Sequence, residues 1–311
     1  MANKKVILRW FILPWVLFAI IFGMVLLMNK KPPYRLDRYP DLKNVDIAEL
    51  VSIDKKRALS EGVSNSRNMP EFKKGERNVG ILLIHGFTAS PFEMSELGEY
   101  LNSKGFTIYN SRVVGHGSKS VYLDKLTYRD WYDSLKYGYF TLKNSCKKLF
   151  VIGQSMGGLL ALNVAYYNDL DGVVLLSPAL DILDSRFDFV PIAQYFVNSI
   201  EKEYSDTSNL KEYYYGERSV KGMVHLKYLI EYTWEHKDLL KKPILLFHSK
   251  FDDVVNYRGS VKFYNEVSVP KELVLIDDPK VKHILSSSLN PRKEEIYKKI
   301  LDWLEANDVE K

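Results

Sequence analysis

LFVIGQSMGGLLALNVAYY, residues 149–167, places a serine between an apolar run and a pattern typical of a helix. Residues 149–152 are typical of a buried strand, and residues 158–167 have helical character. Between them lies a G-x-S-x-G pentapeptide, residues 153–157, the pattern of a sharp strand-to-helix turn that exposes a nucleophilic serine. The two outer glycines remove Cβ atoms that would clash with the nearby chain. A fortuitous Gly-Ser turn is the alternative, but the flanking strand and helix favour Ser155 as a nucleophile.

Length and composition restrict the class of protein. The chain has 311 residues and a formal net charge of +5. This length fits one α/β domain with an insertion. Basic and acidic residues are interleaved, so the sequence argues against binding of nucleic acid. Cys146 is the single cysteine, which excludes an internal disulfide.

The amino-terminal region predicts a membrane anchor. Residues 10–28 carry no charged side chain and are long enough, as a helix rising about 1.5 Å per residue, to cross a hydrocarbon core of about 30 Å. A cleaved signal peptide is the alternative, but its apolar region is normally shorter and is followed by small residues. We therefore expect residues 1–29 to form a cytoplasmic tail and an uncleaved single-pass helix in contact with membrane lipid. Basic residues flank both ends of the apolar segment almost equally, so their distribution does not determine its orientation. An amino-terminal anchor usually keeps its short basic tail in the cytoplasm, which favours a catalytic domain outside the cytoplasm.

Residues 30–78 are predicted to connect this anchor to the main domain. The proline-containing segment 30–40 is typical of a short, stiff spacer that holds a domain off the membrane surface. Residues 46–61 have the spacing of an amphipathic helix capped by Asp46. The polar residues 64–78 are interpreted as a loop.

From residue 79 onward, short apolar runs alternate with amphipathic stretches. We predict strands at 79–85, 106–113, 149–152, 172–176, 244–248 and 273–276, and helices at 92–104, 128–144, 156–167 and 291–306. Alternation of this kind predicts an α/β fold with a mostly parallel sheet flanked by helices. The domain 79–311 is interrupted at about 179–242 by an aromatic-rich insertion without a convincing strand, which predicts a mostly helical cap. Its aromatic rings either pack the cap onto the sheet or line an acyl pocket.

Reactive groups in such sheets gather at the carboxyl ends of the strands. The residues that follow the predicted strands are therefore candidates for the other groups that a nucleophilic Ser155 needs. His85-Gly86-Phe87-Thr88 follows the first strand. Gly86 allows close approach of the backbone, so the amides of Phe87 and Met156 are candidates for an oxyanion hole. We interpret His85 itself as structural.

A base and an acid are also available at strand ends. Asp252 and Asp253 follow the fifth predicted strand, and either carboxylate is placed to orient a histidine. His283 lies after both, between the last strand and the last helix, which yields the chain order Ser, Asp, His. His116, in a Gly-His-Gly segment, is the rival base, although a role in fixing its loop is favoured.

Together, HGFT (residues 85–88), GHG (115–117), GQSMGG (153–158), Asp252 with VV (254–255) and His283 resemble the α/β-hydrolase superfamily, and more narrowly bacterial carboxylesterases and monoacylglycerol lipases. The resemblance implies an α/β-hydrolase fold, Ser155 as nucleophile and His283 as general base and acid. It also implies Asp252 as the orienting acid, because residues 252–255 match the Asp-x-Val-Val pattern of the family. Two departures are Lys282, where the family usually has a small residue, and the absence of apparent antiparallel strands before residue 79.

The sequence therefore predicts a serine hydrolase that cleaves lipid-like carboxylic esters of the acylglycerol type through an acyl-enzyme, with no metal or organic cofactor required. A serine aminopeptidase or an acyltransferase on the same fold is the alternative, since one acyl-enzyme chemistry serves amide, ester and alcohol acceptors. A membrane-tethered binding module on a decayed hydrolase fold is disfavoured because no triad residue is missing.

Overall fold

A seven-stranded sheet runs through the protein, whose computed structural model describes residues 12–20, 23, 34–202, 210 and 212–308. In chain order the strands are β1 (Glu71–Lys73), β2 (Val79–Ile84), β3 (Thr107–Ser111), β4 (Lys148–Gln154), β5 (Gly172–Leu176), β6 (Ser199–Glu201), β7 (Glu217–Ser219), β8 (Ile244–Ser249) and β9 (Lys271–Ile276). The order across the sheet is β1-β3-β2-β4-β5-β8-β9, while β6 and β7 form a separate hairpin. Every neighbouring pair in the main sheet is parallel except β1 with β3. The carboxyl ends of the parallel strands therefore meet at one edge.

Helices cover both faces of this sheet. They are α1 (Ile47–Ser60), α2 (Phe92–Ser103), α3 (Tyr128–Ser134), α4 (Lys136–Ser145), α5 (Met156–Tyr167), α6 (Val190–Ala193), α7 (Val220–Glu235), α8 (Tyr257–Glu266) and α9 (Lys293–Asp308). Strand β2 illustrates the two layers, because its successive side chains point to opposite faces. Ile81 packs in a cluster with Leu97 of α2 and Ile300 of α9. Leu82 packs on the other face, in the cluster that contains Trp131 of α3.

The predicted α/β fold, its parallel strands and its flanking helices are confirmed, with differences in three elements. The predicted helix 128–144 divides at Leu135, whose N–H bonds to the Tyr132 carbonyl at 3.1 Å, a tighter turn than an α-helix makes. The predicted loop 64–78 contains β1, which pairs antiparallel with the edge strand β3. An antiparallel strand therefore does precede β2, but its three residues are too few to carry an alternating pattern.

The cap also differs from prediction, because the hairpin of β6 and β7 lies within residues 179–242 beside α6 and α7. Its strands read Ser-Ile-Glu and Glu-Arg-Ser. These short segments contain one apolar, β-branched residue, Ile200, and so lack the enrichment by which strands are identified. The prediction of a mostly helical cap therefore missed this hairpin.

Residues 34–40, which we term the N-terminal strap, are part of the folded domain. Leu36 is 1% exposed and Tyr39 is 5% exposed. The Leu36 N–H donates to the Tyr232 hydroxyl at 3.0 Å, and the Tyr39 hydroxyl donates to the Tyr132 carbonyl at 2.8 Å. The prediction of a spacer that lifts the domain away from the membrane is therefore wrong for these residues.

The predicted anchor is described only in part. Residues 12–20 are helical, and their large apolar side chains are exposed. Among the residues that the structure describes, no helix combines the length and the apolar character needed to cross a membrane. The rest of the segment 10–28, apart from residue 23, lies outside the described residues.

Candidate active site

Ser155 lies on a strained turn between β4 and α5. Its backbone angles are φ 55° and ψ −116°, a region that residues other than glycine rarely occupy. A Cβ added to Gly153 would lie 2.1 Å from the Gly157 carbonyl oxygen, and one added to Gly157 would lie 2.1 Å from the Ile84 carbonyl oxygen. The turn therefore requires glycine at both positions, as the pentapeptide pattern predicts, and it brings Ser155 to the end of the central strand.

Asp252 and His283 are in direct contact. His283 Nδ1 lies 2.8 Å from Asp252 Oδ2, and the two side chains are 14% and 1% exposed. The other oxygen, Asp252 Oδ1, accepts the backbone N–H groups of Val254 and Val255, both at 2.8 Å. Asp253 is exposed, so the structure favours Asp252 over Asp253 as the partner of His283.

The charges of this pair stabilise each other. Burial by itself disfavours the carboxylate of Asp252, but the charge of His283 and the hydrogen bonds from His248 and His283 hold its pKa well below the usual range. Burial likewise disfavours a protonated His283, but the charge of Asp252 and its hydrogen bond raise the pKa of His283 above its ordinary value. Lys282, the departure from the family pattern, is exposed.

His248 also faces Asp252, a neighbour that the sequence reasoning missed. Its Nε2 lies 3.1 Å from Asp252 Oδ2, and its Nδ1 lies 2.7 Å from Ser260 Oγ. The side chain is completely buried at the end of β8. The only signal in the sequence is the spacing of four residues between His248 and Asp252.

Gln154 connects the nucleophile turn to the histidine loop, and sequence reasoning missed it too. Its side-chain NH₂ donates to the His283 carbonyl at 3.0 Å, and its side-chain oxygen accepts the Leu285 N–H at 3.1 Å. Gln154 is fully buried and immediately precedes Ser155. The available signal was an amide side chain at the first variable position of G-x-S-x-G.

The loop after β2 runs alongside Ser155. A Cβ on Gly86 would lie 3.3 Å from Ser155 Cβ, which confirms the close approach predicted for this glycine. The Gly86 N–H donates to Glu93 Oε2 at 2.6 Å, and Glu93 is only 4% exposed. In the part of the chain that is described, neither the Phe87 N–H nor the Met156 N–H donates to a protein acceptor. Both amides therefore lack a protein acceptor among the described residues.

The other two candidate histidines lie behind this loop. His85 Nε2 accepts the Val113 N–H at 3.1 Å, and its Nδ1 lies 2.8 Å from the Gly86 carbonyl oxygen. Burial lowers the pKa of His85 to about 4, so the ring is neutral and holds the backbone, as predicted. His116 is buried with its Nδ1 3.1 Å from the Val114 carbonyl oxygen, and burial lowers its pKa well below the ordinary value. Its backbone contact fits the loop-fixing role.

The cap contacts the loop after β2 directly. The Tyr215 N–H donates to the Thr88 carbonyl at 2.8 Å, and the Lys202 ammonium donates to Thr88 Oγ1. Tyr213 stacks on Phe92 with ring centroids 3.6 Å apart. Some of the cap aromatics therefore pack the cap onto the domain, and the acyl-pocket role stays a prediction. Among the described residues, no cluster of three or more His, Cys, Asp or Glu side chains is arranged to hold a metal.

Comparison with known proteins identifies relatives over this same region. A family model described as "Serine aminopeptidase, S33" matches residues 75–283. The chain is 32% identical over 200 residues to the thermostable monoacylglycerol lipase of Bacillus sp. strain H-257, an alignment that covers 63% of this chain and 80% of that one. It is 24% identical over 246 residues to a carboxylesterase of Bacillus subtilis strain 168, covering 76% and 96% of the two chains.

Solved structures share the fold. One, from a study of the metagenome-derived lipolytic enzymes LipS and LipT, has a TM-score of 0.70 at 25% identity and covers 78% of this chain and 98% of that one. Paleococcus ferrophilus monoacylglycerol lipase has a TM-score of 0.65 at 20% identity, with coverage of 77% and 98%. With the matched family, these relatives identify the chain as a member of the serine aminopeptidase S33 family and a lipase- or esterase-type hydrolase of the α/β-hydrolase fold.

Proposed function

We propose that the protein cleaves lipid-like carboxylic esters of the acylglycerol type with Ser155, His283 and Asp252 as a catalytic triad. The observation that carries the proposal is the Asp252–His283 hydrogen bond of 2.8 Å in a site where Ser155 lies on a strained strand-to-helix turn. A carboxylate bonded to Nδ1 holds the histidine in the tautomer whose Nε2 accepts a proton. Relatives named monoacylglycerol lipase and carboxylesterase support the ester class.

The proposed reaction has two halves. Ser155 Oγ attacks the ester carbonyl carbon while His283 Nε2 takes the hydroxyl proton, and the backbone amides of Phe87 and Met156 stabilise the oxyanion. The intermediate collapses, the C–O bond to the alcohol breaks, and His283 returns the proton to the leaving alcohol. Water then attacks the acyl-enzyme, with His283 as base, which releases the carboxylic acid and restores Ser155.

An acyl-ester series on the purified full-length protein in detergent tests this function. We expect hydrolysis of p-nitrophenyl esters and of medium-chain monoacylglycerols, and its loss in Ser155→Ala. Ser177→Ala is the matched control, because Ser177 directly follows the neighbouring strand β5, is buried and also has a positive φ of 41°. Faster cleavage of aminoacyl amides than of esters would favour the aminopeptidase alternative that the family description suggests, and acyl transfer to an added alcohol would favour an acyltransferase. Ester turnover that survives Ser155→Ala would contradict the proposal.

We also propose that residues 10–28 anchor the protein to a membrane, with the catalytic domain outside the cytoplasm. The helical, exposed apolar residues 12–20 support this, and Trp15 is 71% exposed. An exposed apolar segment of this kind is expected to bury itself in lipid. Protection of the catalytic domain from protease added to intact cells would contradict the proposed side.

A further inference from the structure

The cap hairpin has two chemically different faces. The pairs Ile200–Arg218 and Glu201–Glu217 are in register across β6 and β7. The Lys202 N–H donates to the Gly216 carbonyl at 2.9 Å, so the pairing continues past the end of β6. Because side chains alternate along a strand, Lys202 and Arg218 share one face, while the two glutamates share the other.

On the acidic face, the β7 residues pack against the protein, whereas Glu201 of β6 is exposed. Glu217 accepts a hydrogen bond from Ser120 Oγ, and Ser219 Oγ donates to Asp124 at 2.5 Å. Both partners belong to the short 3-10 helix Ser120–Lys125. The basic face is therefore turned away from this helix.

Lys202 reaches the loop that borders the nucleophile. Its ammonium donates to Thr88 Oγ1, and Thr88 directly follows Phe87, whose amide is proposed for the oxyanion hole. Thr88 is itself held in a rare backbone conformation, φ 63°, and its carbonyl accepts the Tyr215 N–H at 2.8 Å. The cap thus places the Lys202 ammonium at a fixed point one residue from the proposed oxyanion-hole amide of Phe87.

Among the described residues, the charge of Lys202 has little compensation. No ion pair among the described residues involves Lys202, and its hydroxyl partner carries no charge. The nearby carboxyl of Glu93 is bound to the Gly86 N–H, and burial raises its pKa, which disfavours the charged form. Burial and the adjacent Arg218 lower the pKa of Lys202 to about 7, so an anion placed beside its ammonium would favour the charged form.

We propose that Lys202 binds an anionic group on the alcohol portion of the substrate, so that the enzyme prefers a monoacylglycerol bearing a phosphate to a neutral monoacylglycerol. The inference rests on the proposed esterase function. A lipid-like acyl chain carries no ionisable group, so the anion belongs to the alcohol. The phosphate leaves with the glycerol when the ester C–O bond breaks and His283 protonates the departing oxygen.

A matched pair of substrates tests the proposal. We compare octanoyl glycerol with octanoyl glycerol 3-phosphate, using the full-length protein in detergent and the variants Lys202→Gln, Lys202→Arg and Lys221→Gln. Glutamine keeps a donor for Thr88 without the charge, arginine keeps the charge, and Lys221 is an exposed lysine on the nearby helix α7.

The wild type is expected to have the higher kcat/KM for the phosphate ester. Lys202→Gln should lower that value about 10- to 100-fold, mostly through KM, because a desolvated charge-assisted hydrogen bond is lost. The same variant should lower kcat/KM for the neutral ester far less, because that ester has no anion for Lys202 to bind. Lys202→Arg should retain most of the preference, and Lys221→Gln should retain all of it.

Three outcomes would overturn the proposal. Equal losses on both esters would show that Lys202 only positions the Thr88 loop. No effect on either ester would place the phosphate elsewhere, and a wild-type preference for the neutral ester would exclude an anion site. Absence of any Ser155-dependent ester turnover is a different result, because it would remove the proposed function itself.

Discussion

Asp252 is the residue at which the charges of the candidate site converge. Four groups approach its two oxygens: two backbone N–H groups, His283 and His248. This environment favours the carboxylate and, through it, a protonated His283. As a base, His283 must be neutral, so activity is expected to fall as pH drops through a pKa above the ordinary histidine value of about 6.5.

Asp252→Asn should therefore change both rate and pH dependence. Loss of the carboxylate lowers the pKa of His283, so the acid limb of kcat/KM should move to lower pH. The rate should fall about 10⁴-fold, the size of the effect when a triad acid becomes an amide. The measurement is a pH profile of kcat/KM for a soluble ester. Asp253→Asn is the control, with at most a small shift in the same direction, and a larger effect there than at Asp252 would contradict the assignment.

Gln154 offers a second test at the residue scale. Gln154→Ala removes both hydrogen bonds to the His283 loop. We expect kcat to fall about 10- to 100-fold with little change in KM, because the base loses its alignment with Ser155. Gln154→Glu keeps the acceptor for the Leu285 N–H and loses the donor to the His283 carbonyl. Its kcat should therefore lie between those of the wild type and Gln154→Ala. Unchanged kcat in both variants would show that the loop is held by other contacts.

The candidate site could be predicted from the sequence only where residues follow apolar strands. Asp252 and His283 follow β8 and β9, and Ser155 follows β4, so topology alone brings these positions to one edge. Gln154 and His248 were missed, because their contacts depend on where a loop and a buried side chain come to rest. Lys202 was missed for a similar reason, since the path of the cap cannot be read from its composition.

At the scale of elements, the strands that were predicted have a local apolar pattern, and those that were missed do not. Strands β2, β5 and β8 are fully buried, β4 is buried except for Lys148, and all four are largely apolar. Burial on both faces is what makes a strand visible in sequence. Strand β1 and the cap hairpin are short and partly exposed. Their pairing is determined by neighbouring elements, so the local sequence pattern does not predict it.

The N-terminal strap is the element whose contribution to stability is most easily measured. Leu36→Ala should lower the free energy of unfolding by about 2–5 kcal/mol, since it leaves a cavity beneath a buried segment. Arg35→Ala is the control, because that side chain is 82% exposed and its ion pair with Asp37 is at the surface, worth about 1 kcal/mol at most. Chemical denaturation monitored by tryptophan fluorescence measures both. Equally small changes in the free energy of unfolding for Leu36→Ala and Arg35→Ala would show that the strap does not stabilise the domain.

At the scale of the whole molecule, the strap also determines where an anchor joins the domain. Tyr34, its first residue, contacts the ring of His225 in the cap helix α7 at a centroid distance of 6.4 Å. The proposed membrane segment before residue 34 would therefore join the domain beside the cap, and would hold the candidate site near the lipid surface.

We predict that the full-length protein stays with membranes after an alkaline carbonate wash, whereas a chain beginning at residue 34 is released. The shorter chain keeps the strap and should keep its turnover of soluble esters, which serves as the control for folding. Release of the full-length protein would contradict the anchor.

The central claim is that Ser155 forms the acyl-enzyme, and the most direct test is to identify the serine that reacts covalently. The protein is incubated with a fluorophosphonate, digested and mapped by peptide mass spectrometry. We predict one adduct, on the peptide carrying Ser155, that disappears in Ser155→Ala and persists in Ser177→Ala. An adduct on another serine, or an unlabelled wild-type protein that still cleaves esters, would contradict it.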